Sequence, residues 1–141
     1  WVKVSDTIER HELAAVEQSI AMPGLAEILD SSSRLPRAVV TLLPPGAARA
    51  ALDRHGVEID TVIGRRPDLR PKPAPDQLLE ACRSLGVHHA DAIMIGDSTW
   101  DHAAAVAAGC GFTGVTNGGP NEFPDSVEVY SDLSALADRI E

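Results

Sequence analysis

The chain has 141 residues, 44% of them hydrophobic and 23% charged, and a formal net charge of −9. That length suits one compact domain, and the acidic balance repels phosphate backbones and anionic lipid, which argues against nucleic-acid and membrane-surface binding. No apolar run approaches the roughly 20 residues that cross a bilayer, so no membrane span is expected, and Cys82 and Cys110 lack C-x-x-C or zinc-type spacing, so a reduced, cytoplasmic protein is expected.

Trp1 stands where a Met would start a chain, and no basic segment leads into an apolar core; a piece of a longer protein without a signal peptide is expected. Ser5 to Ala21 places Ile8, Leu13, Val16 and Ile20 on one helical stripe, which Pro23-Gly24 breaks. A short helix over Leu25 to Asp30 leads to Ala38-Val39-Val40-Thr41-Leu42, an apolar run that reads as a buried strand. Pro44-Pro45-Gly46 opens a helix that runs to His55, with Gly56 just past its end. V-E-I-D-T-V-I-G, ending at Gly64, is strand-like.

After the loop R-R-P-D-L-R-P-K-P, Ala74 to Leu85 reads as a helix with Leu78, Leu79, Cys82 and Leu85 on its buried face and Gly86 as its stop. Ala90 to Ile95 is the clearest strand. An alanine-rich helix over Asp101 to Ala108 ends at Gly109 and precedes strands at Phe112 to Val115 and Val127 to Tyr130. A last helix, N-capped by Ser131, carries Leu133, Leu136 and Ile140. Strand and helix alternate throughout, the signature of βαβ units and of a mostly parallel sheet covered by helices on both faces.

In such a sheet, ligands bind beyond the carboxyl ends of the strands. The segment A-I-M-I-G-D-S-T-W-D puts Asp97 at one of those ends and Asp101 on the first turn of the next helix, facing the same space. Two converging carboxylates repel each other unless a cation lies nearby, and hard oxygen ligands suit Mg²⁺. The competing reading makes Asp97 a helix cap and leaves Asp101 in the favourable field of the helix N-terminus. R-P-K-P-A-P-D holds Lys72 between prolines on the same side of the sheet, which lowers the entropy cost of aiming its ammonium. Thr41, at a strand tip, can donate its hydroxyl to a phosphoryl oxygen, although threonine is also an ordinary strand residue.

The combination of V-V-T at 39–41, R-P-K-P-A-P-D at 70–76 and I-M-I-G-D-S-T-W-D at 93–101, continuing into A-A-V-A-A-G-C-G-F-T-G-V, resembles the haloacid dehalogenase superfamily, phosphoglycolate phosphatases in particular. The resemblance implies an α/β fold with a Rossmann-like, three-layer, doubly wound parallel sheet. It covers about residue 23 to the C-terminus, with residues 1–22 as the helix returning from an inserted cap. It further implies a Mg²⁺-dependent phosphoric monoester hydrolase of small phosphorylated metabolites, monomeric or homodimeric, working through an aspartyl-phosphate. Asp97 and Asp101 would hold Mg²⁺, Lys72 would steady the nucleophile and the phosphoryl charge, and Thr41 would bind a phosphoryl oxygen.

The family's D-x-D-x-T strand has no counterpart here. In V-K-V-S-D-T the nucleophile position falls on Lys3 and the acid/base position on Ser5. The central first strand of the fold is therefore expected to be missing, which leaves the strand ending at Thr41 and the strand ending at Gly96 facing a gap. The segment alone is expected to be inactive, as part of a longer enzyme. The alternative is a catalytically inactive relative that serves as a binding or interaction module. A signalling receiver domain also pairs acidic residues with Thr and Lys, but there the lysine follows the acidic pair, whereas here Lys72 precedes it.

The remaining chemistry-bearing residues have plainer readings. His88-His89 is expected in a solvated loop, His102 points away from Asp101, Trp100 is expected to pack on the next helix rather than shield the site, and Arg65, Arg66 and Arg70, which could attract an anionic substrate, are expected to be solvated.

Overall fold

The computed structural model of the chain describes residues 24–59 and 61–140, so the helix expected over Ser5 to Ala21 lies outside the described residues. In chain order the elements are α1 (Leu25–Ser31), β1 (Ala38–Val40), α2 (Pro45–Arg54), β2 (Thr61–Ile63) and α3 (Asp76–Leu85). A 3₁₀ turn at His89–Asp91 is followed by β3 (Ile93–Gly96), α4 (Thr99–Ala108), β4 (Gly111–Val115), β5 (Glu128–Tyr130) and α5 (Leu133–Ile140). The βαβ alternation read from the sequence is therefore present, and all strand pairings are parallel.

Those strands form two sheets, β1-β2 and β3-β4-β5. Register pairs Val40 with Ile63 at one tip and Gly96 with Gly114 at the other. Among the described residues no strand pairs with the second edge of β1 or of β3. The two sheets nonetheless share a core. Val40 of β1 and Met94 of β3 pack on one cluster built from Leu78 of α3 and Ala104, Ala105 and Ala108 of α4.

The alanines are nearly inaccessible, and their small side chains let α4 lie close against β3 and β4. Opposite sides of β4 serve opposite layers: Phe112 meets the α3/α4 cluster, while Val115, three residues on, meets Ile28 of α1 and Leu136 and Ala137 of α5. Helices thus cover both faces, giving the doubly wound arrangement expected. Ile93, on β3 beside the unpaired edge, stays 69% exposed.

Several boundaries differ from the sequence reading for local reasons. Thr41 and Leu42 lie past the end of β1, and the chain turns there under the Leu43 N–H bond to Thr41 Oγ1. Ala90 and Asp91 belong to the 3₁₀ turn, which His88 caps by accepting the Ala90 N–H. Helix α3 begins at Asp76 and is rotated from the expected face: Gln77, Leu78, Ala81 and Cys82 are buried, whereas Leu79 is exposed. Asp132, rather than Ser131, accepts the Ala135 N–H in the first turn of α5. At the end of α4, Gly109 takes φ +75, which lets Cys110 N–H reach back to Ala105 and launch β4.

Candidate active site at the strand tips

The carboxyl ends of β1, β2 and β3 carry the residues that the sequence singled out. Thr41 directly follows β1, and its N, O and Oγ1 are each engaged in a hydrogen bond. Its N–H donates to Ile63 O (3.0 Å), its carbonyl accepts from Gln77 Nε2 (2.9 Å), and Oγ1 accepts from Leu43 N–H (3.1 Å). The hydroxyl proton is left to donate outward. The two tips are also tied to each other where Arg65 N–H donates to Leu43 O at 2.8 Å.

The loop that carries Lys72 is clasped at its base. Asp76 Oδ2 accepts the Arg70 N–H at 2.9 Å, and Arg70 Nη2 meets Asp76 Oδ1 at 2.9 Å. The Arg70 guanidinium holds the Asp76 carboxyl below the usual carboxylate range. Arg66 is spent on Asp68 at 2.8 Å, so Arg66 and Arg70 are paired rather than merely solvated. Lys72 then projects from this clasped loop to Asp101, with Nζ–Oδ1 at 2.6 Å.

Asp101 is buried, and both of its oxygens are engaged. Oδ1 receives Lys72, and Oδ2 accepts the backbone N–H groups of Asp97 and Ser98, each at 3.3 Å. Ser98 Oγ in turn accepts the Asp101 N–H at 3.1 Å, which completes a capping box. The helix cap is therefore Ser98, not Asp97. Gly96 is explained by proximity: a Cβ there would lie 2.5 Å from Asp101 Cβ and 2.7 Å from Asp101 Oδ2.

The Asp97 carboxylate, at the tip of β3, makes no hydrogen bond or ion pair among the described residues. It is a hard, anionic oxygen donor just before the N-terminus of α4. The described residues contain no cluster of three or more potential metal-ligating side chains. This donor set fits an ion such as Mg²⁺, which keeps several waters and takes one or two carboxylates, better than an ion that needs an all-protein cage.

Lys72, Asp101 and the Asp97 backbone N–H are thus in one hydrogen-bonded group, whereas Thr41 is tied by hydrogen bonds to Ile63, Leu43 and Gln77 instead. The sequence reading did not identify Ser98 or Gln77. The S-T-W-D spacing carries the capping-box signal for Ser98, whereas a glutamine in an amphipathic helix carries none. Trp100, the second residue of α4, is 60% exposed rather than packed away as expected. His102 packs at a tilt against Phe112, with ring centroids 5.1 Å apart and the planes inclined at 48°, and His89 Nδ1 lies 3.2 Å from Gly109 O, so that histidine is not simply solvated.

Comparison with known proteins adds three findings. A family model described as haloacid dehalogenase-like hydrolase matches residues 2–109. The phosphoglycolate phosphatase of Rhodospirillum rubrum is 36% identical over 105 residues, which covers 71% of this chain and 44% of that protein. A hydrolase from Pseudomonas syringae superposes with a TM-score of 0.82 at 24% identity, covering 98% of this chain and 69% of the other, and D,D-heptose 1,7-bisphosphate phosphatase from B. bronchiseptica, solved with magnesium and phosphate, gives 0.69 at 23% identity over 89% and 86%. The chain spans about half or less of the length of the curated relatives it matches.

Proposed function

Because the chain belongs to the haloacid dehalogenase-like hydrolases, we propose that it is the larger part of the catalytic core of a Mg²⁺-dependent phosphatase acting on small phosphorylated metabolites. The observation that carries this reading is the Lys72–Asp101 pair seated on the backbone amides of Asp97 and Ser98, with the Asp97 carboxylate left over at the same strand tip. A phosphate monoester needs such a site: a cation to meet its charge, donors for its oxygens, and a carboxylate for a metal.

In this reading Lys72 neutralises charge on the phosphoryl group, and Asp101 holds that ammonium in place. The Thr41 hydroxyl donates to a phosphoryl oxygen. Asp97 is the ligand this chain offers to Mg²⁺, with Asp101 supporting it through the shared backbone, and the ion supplies charge neutralisation on the phosphate. The nucleophile is an aspartate from sequence outside this chain. Its oxygen attacks phosphorus as the alcohol leaves, and water then cleaves the aspartyl-phosphate to release phosphate. That β1 and β3 each have an edge with no partner among the described residues supports this reading, since a strand there would reach the same end of the sheet. Two free thiols suit a cytoplasmic protein.

The test is Mg²⁺-dependent hydrolysis of p-nitrophenyl phosphate by the full-length protein beside its Asp97→Ala variant. Turnover that the variant loses supports the reading, and the 141-residue chain alone should show none. A folded full-length protein without turnover would instead favour a non-catalytic binding module.

A further inference from the structure

Gln77 is 0% exposed, the largest fully buried side chain among the described residues, and it lies outside every motif that suggested the function. It is the second residue of α3, next to the Asp76 that clasps the Lys72 loop. Its amide nitrogen donates to Thr41 O at 2.9 Å and to Gly64 O at 3.2 Å, so its two protons close on the carbonyls at the tips of β1 and β2. Its Oε1 has no hydrogen-bond partner among the described residues.

As a contribution to folding alone this is a poor arrangement. Burying an amide with one acceptor unsatisfied costs free energy that a leucine or methionine of similar volume would not incur. What the amide does instead is fix a peptide plane. Leu42 is 40% exposed, so packing restrains the Thr41–Leu42 peptide little, and Gln77 is the group bonded to its carbonyl. The Thr41 N–H and Oγ1 are held by Ile63 and Leu43, and Gln77 supplies the third hold, on the carbonyl, so the backbone that carries the hydroxyl is fixed on both sides.

We propose that Gln77 is a positioning residue for phosphoryl transfer: its amide clamps the tips of β1 and β2 to the first turn of α3, which holds the Thr41 hydroxyl in fixed relation to Lys72. The proposal rests on the phosphatase reading above. It assigns Gln77 no contact with substrate. Its effect passes through Thr41, so the effects of altering the two residues do not multiply.

The experiment measures kcat and KM of the full-length protein with p-nitrophenyl phosphate and Mg²⁺, for wild type, Gln77→Met, Thr41→Val and the double variant. Gln77→Met should lower kcat by about tenfold or more, because small displacements of a positioned donor are costly in the transition state, with KM changed by less than about threefold. In the Thr41→Val background the same change should cost less than about twofold. Leu136→Ala, in the core cluster beside α1 and α5, controls for lost stability and should leave kcat near wild type. If Gln77→Met does not fold, Gln77→Asn keeps the donors on a shorter arm and replaces it in the same cycle. A kcat within about twofold of wild type, or a full multiplicative effect on top of Thr41→Val, overturns the proposal while wild-type turnover stands. Absence of turnover in the wild type overturns the phosphatase reading and this proposal with it, and is seen before any variant is compared.

Discussion

Lys72 Nζ lies 2.6 Å from Asp101 Oδ1, with the two side chains only 11% and 9% exposed. A pair this dry is asymmetric: making it yields little net stability, whereas removing one member strands the other charge in a poor solvent. Lys72→Met should therefore cost about 3–5 kcal/mol, and Asp101→Asn a comparable amount. The double variant should be less destabilised than the sum of the two, because neither charge is left alone. Urea unfolding of all four proteins checks this, and strict additivity would show that the pair is not coupled. Both single variants should lose phosphatase turnover.

Gly96 carries a second prediction. A methyl group there would sit 2.5 Å from Asp101 Cβ and 2.8 Å from Asp101 Cγ, and Asp101 cannot retreat while Lys72 and two backbone amides hold it. Gly96→Ala should cost about 1–3 kcal/mol by overpacking and reduce turnover as the carboxylate is displaced. Gly111→Ala is the matched control, since its Cβ would meet Ile93 Cγ1 at an ordinary 3.4 Å. Equal behaviour of the two variants would show that Gly96 is not kept for close approach to Asp101.

The alternation of strands and helices was legible because most strands are short apolar runs, with Gly64 just past β2 and Gly96 ending β3, and because glycines follow α2, α3 and α4, a pattern that needs no tertiary information. The placement of Lys72, Asp97, Asp101 and Thr41 on one side of the molecule was legible for a related reason: in a parallel sheet, residues just past strand ends share that side. What could not be read was how each polar atom is used. Whether Asp101 faces a metal or an ammonium depends on where the Lys72 loop lies, which the Arg70–Asp76 clasp decides. Gln77 was invisible because burial of an amide depends on two carbonyls far off in sequence. Leu79 and Trp100 failed the opposite way, as apolar residues whose neighbours leave them in water.

Asp97 differs from Asp101 in having no protein partner for its carboxylate among the described residues, and this separates their roles experimentally. Asp97→Asn should change folding stability by no more than about 1 kcal/mol, the scale of a charge beside a helix N-terminus. If Asp97 holds Mg²⁺ as proposed, the change should weaken Mg²⁺ binding to the full-length protein by at least about tenfold, since it would remove charge from the ion's own shell. Calorimetric titration with Mg²⁺ alone reads the second effect and urea unfolding the first. Undiminished Mg²⁺ affinity would remove Asp97 from the metal site.

Cys110, which opens the turn into β4, gives a prediction in pH. Burial, reinforced by the neighbouring Cys82 thiol, pushes its thiol up to about 11 from an ordinary value of 9.0. Because the thiolate is the reactive form, an alkylating reagent at pH 8 should modify Cys110 about 100-fold more slowly than an unhindered thiol, with the rate climbing until pH about 11. The sign for stability follows from the same shift. The folded chain keeps the proton that the unfolded chain releases, so the contribution is intact below pH 9.0 and declines as the pH rises toward 11. Comparison with Cys110→Ala isolates this effect from lysines and tyrosine that titrate in the same range. Wild type should lose more stability than the variant between those pH values, and parallel curves would mean that the Cys110 thiol ionises as freely in the fold as in the open chain.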